Sequence, residues 1–341
     1  MTALAPTNDD TAIWDAWLSQ FRLPILNTAL EAGIFPALSA SALTTDELAG
    51  ELGVDARALA MHLAALCAEG FVEKRLGKWR ATDVARTWLH PEATGYWGGF
   101  LDSIDNNEHL RNRLLESLKT GKRPAKGVNE RPVGWEEGTM PQDVAAGIAA
   151  FMQAHSQAPA LGAARMTEFA EHACLMDVGC GSGVYGIEIA RANPGLKVVL
   201  MDLKEVAAEA AKYVAAADMG ERVTTAGVNM FEEQWPDGPD AHFFSNVFHD
   251  WSDETNRKLA KSSFDALPSG GRIFLNEILM DDDYTGPFEA AAFSLLMLIG
   301  TLGKQYSLAE FRDILESAGF TDVAARRTGG GYYSLVSARK P

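Results

Sequence analysis

The stretch LMDVGCGSGVYGIEIARANPGLKVVLMDL, residues 175–203, constrains this chain more than any other. An apolar run ends at Asp177, and Gly179, Gly181 and Gly183 then let the backbone turn tightly and approach a ligand closely. A helix opens near Val184, and a second apolar run ends at Asp202. Strand, glycine loop, helix, strand is the opening unit of a doubly wound α/β sheet, with a nucleotide-like ligand expected over the loop. Glycines at this spacing also serve ordinary turns and dinucleotide sites, so the flanking acids decide. Asp177 suits hydrogen bonds around an amino-acid group and Asp202 suits ribose hydroxyls, a pattern that fits pyrophosphate less well.

The runs CLMDVG, KVVLMDL, RVTTAG, AHFFSNV, RIFLNEI and YYSLVSAR read as strands separated by helical stretches, as a mostly parallel sheet requires. The N-terminal half has a different texture. Trp14, Trp17, Phe21, Ile25, Leu26, Leu30 and Ile34 recur at helical steps and predict one helix over 12–35. A helix from Thr44 or Thr45, a break at Gly53, a helix from Asp55 to about Glu69, a hairpin turning near Gly77 and a helix opened by Thr82 or Asp83 follow. That order is a winged helix. The pattern is helical again from Met140 to Phe169, which places the domain boundary near 165–172 and divides the chain into 1–168 and 169–341.

A length of 341 residues fits two domains, and 47% hydrophobic with 22% charged residues fits globular folding. The formal net charge of −16 argues against a groove for nucleic acid, because that affinity comes from clustered Lys and Arg. Residues 1–100 hold seven Lys and Arg against twelve Asp and Glu, and the second helix of the winged helix offers only Arg57 and His62. Cys67, Cys174 and Cys180 form no close pair, the seven His are dispersed, and the DDD at 281–283 reads as a solvated loop, so no metal is expected. The opening MTALAPTNDD lacks a signal-peptide pattern and no apolar run reaches membrane-spanning length, so a cytoplasmic location without a membrane partner is expected.

The motifs DVGCGSG at 177–183, NMF at 229–231, FHDWSDE at 248–254, NEILM at 276–280 and GKQYSLAEFRDILESAGF at 303–320 run through the C-terminal half. Together they make the chain resemble, over nearly its full length, the S-adenosylmethionine (SAM)-dependent O-methyltransferases of the plant caffeate and animal hydroxyindole type. The resemblance implies a winged-helix dimerisation and substrate-lid domain over 1–168, a Rossmann-like SAM domain over 169–341, a homodimer and a small-molecule acceptor. It assigns Asp177, Gly179, Gly181, Gly183, Asp202, Asn229, Met230, Phe231 and Ser245 to SAM. It makes His249 the general base and Glu277 the carboxylate that orients it.

Three positions depart from the family. Gln305 stands where the plant enzymes carry a second catalytic carboxylate, Asn229 replaces an adenine-contacting Asp, and Ser245 replaces a Lys. Acceptor contacts are expected from Trp97, Phe100, Met152, His155, Met297 and Gln305, with Tyr96, Phe151, Phe293 and Tyr306 as further candidates. O-methylation is the first expectation. The alternatives are S-methylation of a thioether acid, such as 4-methylthio-2-hydroxybutyrate in dimethylsulfoniopropionate synthesis, C-methylation, or a SAM-binding scaffold or regulator without catalysis.

Overall fold

The computed structural model describes residues 9–93, 96–98, 101, 108–124 and 138–341. The chain divides into two compact units, each gathered from separated stretches. Ala12–Ala125 joins Leu279–Ser307 in one, and Met1–Thr11, Lys126–Ile278 and Leu308–Pro341 form the other. A single cut at 168 does not follow these units, because helix Gln142–Ala164 packs on the helices beside the large sheet and helix Phe288–Gly300 packs on Ala56–Ala68.

In the first unit, local signals set the helix ends. Thr44 and Glu47 form a capping box, Gly53 ends that helix in the left-handed region, and Asp55 and Thr82 each cap the next helix by accepting an amide hydrogen bond. Strands β1 (Val72–Arg75) and β2 (Lys78–Ala81) form the wing, and a bridge from Leu43 to Trp79 extends it. Arg57 donates to the carbonyls of Leu302 and Gly303, and His62 is fully buried. The single helix expected over 12–35 is instead Thr11–Leu18, a 3-10 turn at Ser19–Phe21 and Arg22–Glu31. Pro24 has no amide to close the turn across the junction, and Gly33 at φ 76° then starts a separate helix, Ile34–Ala40. Among the described residues no single helix is long and apolar enough to cross a membrane.

The second unit is built on a seven-stranded sheet. Its strands are β3 (Cys174–Val178), β4 (Lys197–Asp202), β5 (Val223–Gly227), β6 (Ala241–Ser245), β7 (Arg272–Ile278), β8 (Thr321–Arg327) and β9 (Tyr333–Arg339). They lie in the order β5-β4-β3-β6-β7-β9-β8, parallel except that β9 runs antiparallel to both neighbours. The six strands expected from sequence are present, and β8 is an addition. It is an edge strand with mostly exposed side chains, so the apolar run that marks the inner strands is missing. Phe169 meets Phe243 and Phe274 at ring distances of 5.8 and 5.0 Å and anchors one face of the core.

Helix Val184–Ala192 lies close to the sheet because Gly186 has no side chain. A Cβ there would come within 2.4 Å of Leu200 Cδ2 and 2.9 Å of Val198 Cγ1. Gly186→Ala is expected to destabilise the protein by about 1–3 kcal/mol through overpacking, read as a lower urea midpoint; an unchanged midpoint would show that the helix can retreat freely.

Candidate active site

The chain leaves β3 to build β4 and β5 on one side, then returns to build β6 and β7 on the other. The crevice at the carboxyl ends of β3 and β6 is therefore the topological switch point, where doubly wound folds hold ligands. The glycine loop follows β3, and His249 follows β6.

Gly179, Gly181 and Gly183 all have positive φ. A Cβ on Gly179 would lie 2.7 Å from Val247, and one on Gly183 would lie 2.4 Å from Leu200, so the tight loop excludes side chains at both positions. The loop spends its amides internally. Gly179 and Cys180 donate to the Met201 carbonyl, Gly181 to Asp202 Oδ2, and Gly183 to the Cys180 carbonyl. Asp177 Oδ2 accepts from the Gly186 amide, and Asp202 Oδ1 from Leu203. A pyrophosphate site needs free amides, and this loop instead holds two carboxylates beside itself, Asp177 buried and Asp202 half-buried. Burial raises the pKa of Asp177 to about 7, opposed by the Gly186 amide and assisted by Asp202. Burial likewise raises Asp202 to about 6 against its two amide donors. Such a pair favours a cationic ligand over an anionic one. Ser182 Oγ, buried in the loop without a protein partner, adds a hydroxyl for a ligand. The cradle and its acids fit the sulfonium and ammonium of SAM.

His249 sits in the turn Phe248–Asp250, directly after β6. Its Nδ1 lies 2.9 Å from Glu277 Oε2, and Glu277 Oε1 accepts from the Val247 amide at 3.2 Å. Both side chains are almost fully buried, with Glu277 1% and His249 4% exposed. Asn256 holds the turn by donating to the carbonyls of Phe248 and Trp251. Burial alone would push the His249 pKa down. The charge and hydrogen bond of Glu277, with Asp250 adding, outweigh it and leave the imidazole above its ordinary value.

Helix Gln142–Ala164 brings two expected acceptor residues to this region. Met152 lies 3.4 Å from where a Cβ on Gly181 would stand, and His155 stacks on Phe151 at 5.4 Å. Burial, with the nearby His249 cation second, lowers the His155 pKa to about 4, so it is neutral at ordinary pH. The helix is seated by Gly162 against Gly330, where a Cβ on Gly162 would stand 2.6 Å from the Gly330 amide nitrogen.

The other expected residues take several positions. Asn229 uses its side-chain oxygen to accept from the Phe231 amide, and the Met230 carbonyl accepts from Trp235. Phe231 is part-exposed and meets Trp251 edge-on at 4.7 Å. Ser245 is buried between β6 and β7, where its hydroxyl donates to the Asn276 carbonyl and accepts from the Asn276 amide. Trp97, Met297 and Gln305 belong to the other unit. There Gln305 is buried with its backbone amide donating to Ser294, Met297 is buried in helix Phe288–Gly300, and Trp97 lines an apolar cleft of about 330 Å³ with Trp88 and Val84. Phe100 lies outside the described residues. Among the described residues no group of three metal-ligating side chains converges.

Sequence reading missed Asn246, Asn256 and Tyr333, which hold the turn carrying His249. Only Asn246 carried a signal, being a residue type that tolerates the left-handed backbone it adopts at φ 57°.

Because the folded pKa of Asp177 is raised, its contribution to stability is present at low pH and is lost as pH rises through about 7. Asp177→Asn is therefore expected to raise the unliganded melting temperature at pH 8 by roughly 2–4 °C, with the gap closing as pH falls toward 4. The same variant is expected to bind SAM at least tenfold more weakly, about 1.4 kcal/mol. Thermal scans and calorimetric titration check both, and a variant less stable than wild type at pH 8 would contradict the buried-charge account.

Comparison with known proteins agrees with this geometry. A family model for the O-methyltransferase domain matches residues 119–321, and one for the O-methyltransferase dimerisation domain matches residues 18–91. The chain is 35% identical over 319 residues to 3-hydroxy-5-methyl-1-naphthoate 3-O-methyltransferase of Streptomyces sahachiroi, covering 93% of this chain and 91% of that one. A crystal structure of an O-methyltransferase family 2 protein from Planctomyces limnophilus with apigenin is similar at a TM-score of 0.85 and 25% identity, covering 99% of this chain and 98% of the other. Human N-acetylserotonin methyltransferase, solved with SAM, shares the fold at a TM-score of 0.58 and 21% identity, with 99% of both chains covered. The chain belongs to the SAM-dependent O-methyltransferase family, as a methyltransferase with a winged-helix dimerisation domain and a Rossmann-like catalytic domain.

Proposed function

We propose that this enzyme methylates a hydroxyl group on an aromatic small molecule, with His249 as general base and Glu277 as the carboxylate that orients and charges it. The buried 2.9 Å contact between His249 Nδ1 and Glu277 Oε2 carries the reading. The relative from S. sahachiroi acts, by its name, on 3-hydroxy-5-methyl-1-naphthoate, and the P. limnophilus protein was solved with apigenin. Both names point to a hydroxylated ring.

SAM supplies an electrophilic methyl group on a positively charged sulfur. The chain's own part is to hold the acceptor oxygen in line and remove its proton. With Nδ1–H donating to Glu277, Nε2 is the ring nitrogen that carries the lone pair and takes the hydroxyl proton as the new C–O bond forms. The carboxylate steadies the resulting imidazolium. Gln305 cannot share that charge as a second carboxylate would, so Glu277 is the orienting acid in this reading. A thioether acceptor needs no base and would leave the buried pair without a task, which favours oxygen over sulfur.

The exposed Trp88, Trp97 and Val84 at the apolar cleft, together with the dimerisation-domain match, support a homodimer formed through the N-terminal region. Three free cysteines suit a reducing cytoplasm.

Release of S-adenosylhomocysteine, measured with hydroxy-aromatic and methylthio-acid panels, tests the reading. His249→Ala is expected to lose about 10²–10⁴-fold in kcat on phenols. Since Glu277 lifts His249 above its ordinary 6.5, the acid limb of kcat/KM is expected above that pH. Glu277→Gln leaves only Asp250 to oppose burial, so the limb is expected to move to lower pH while the rate falls. Turnover confined to thioethers and untouched by His249→Ala would overturn the proposal.

A further inference from the structure

We propose that Tyr333 is a positioning residue for the catalytic pair, acting through Asn246 and the Val247 amide on Glu277. The inference rests on the reading of His249 as base and concerns a residue on the antiparallel strand β9, far from the glycine motif in sequence.

The geometry forms a continuous relay. Tyr333 is fully buried, and its hydroxyl donates to Asn246 Oδ1 at 2.7 Å. Asn246 holds φ 57°, a left-handed backbone that redirects the chain as β6 ends. That turn aims the next amide, of Val247, at Glu277 Oε1, while Glu277 Oε2 meets His249. One Glu277 oxygen is thereby fixed by the backbone and the other serves the imidazole. Register pairs Tyr333 with Ile278, one position along the β7–β9 ladder from the Ser334–Glu277 pair, so the Tyr333 side chain reaches Glu277 through Asn246 and the Val247 amide rather than directly across the ladder. The start of β9 is itself braced, since Gly330 packs on Gly162 of helix Gln142–Ala164 and its carbonyl accepts from the Tyr333 amide.

The groups that face His249 are Glu277 from β7, Asp250 from its own turn and His155 from helix Gln142–Ala164. The phenols of Tyr333 and Tyr185 face Glu277, and burial raises the pKa of each, so both remain protonated and Tyr333 remains a donor. Removing the Tyr333 hydroxyl lets the turn relax and the Glu277–His249 contact lengthen. The carboxylate then lifts the imidazole less, and the acid limb moves toward lower pH.

Tyr333→Phe, Asn246→Gly, their double variant and Asn246→Ala should be compared with wild type and His249→Ala for pH–rate profiles, SAM affinity and thermal stability. The expected result for Tyr333→Phe is a five- to twentyfold lower kcat, an acid limb at least 0.3 pH units lower and SAM affinity within twofold. The double variant should be no worse than the poorer single one, because both cut the same relay, and Asn246→Ala should fall below Asn246→Gly. An unmoved limb in Tyr333→Phe, or effects of the two single variants that simply multiply, would overturn the relay while His249→Ala remains inactive. Full activity of His249→Ala would instead overturn the base assignment beneath it.

Discussion

A carboxylate shut away from water is costly unless it is hydrogen-bonded and its charge is met, and Glu277 fulfils both conditions at 1% exposure. Its two oxygens divide between a backbone amide and an imidazole. Much of the local structure follows from that division. The β6 strand must end where it does, Asn246 must turn left-handed, and Asn256 must satisfy the carbonyls of Phe248 and Trp251. The same burial that makes Glu277 expensive makes it strong, since water does not screen its pull on His249.

The glycine loop solves a related problem with the opposite device. It binds its own amides to Met201, Cys180 and Asp202 and leaves two acids beside the ligand-facing surface. Anion-binding loops keep those amides free. The difference separates a site for a cationic sulfonium from a site for phosphate, although both begin with the same spacing of glycines.

Much of this was legible in the order of residues. The glycine loop, six of the seven sheet strands, the capped helices of the winged helix and the pairing of His249 with Glu277 each follow from local pattern or motif. What escaped was set by distance in sequence. Strand β8 has too little apolar content to announce itself, and Tyr333 contacts Asn246 across 87 residues. The break at Ser19–Phe21 was hidden because the Trp14 to Ile34 stripe keeps its period through the 3-10 turn. The compact units were also invisible, because helix Phe288–Gly300 is apolar on nearly every side and chose its neighbours by packing.

That helix carries a consequence for how the molecule can be divided. Arg113 and Arg123 donate to its last carbonyls, those of Ile299 and Gly300, and Arg57 to the carbonyls of Leu302 and Gly303 just beyond, so guanidiniums from two separate stretches hold the end of the helix and the chain that leaves it. The polypeptide therefore passes back into its N-terminal unit after most of the large sheet is made. A gene cut between the winged helix and the sheet yields one fragment with an unfilled hydrophobic seat and another with a greasy helix that has nowhere to go. Modular shuffling of this chain requires exchanging residues 279–307 along with the N-terminal region, as one inheritance in two pieces.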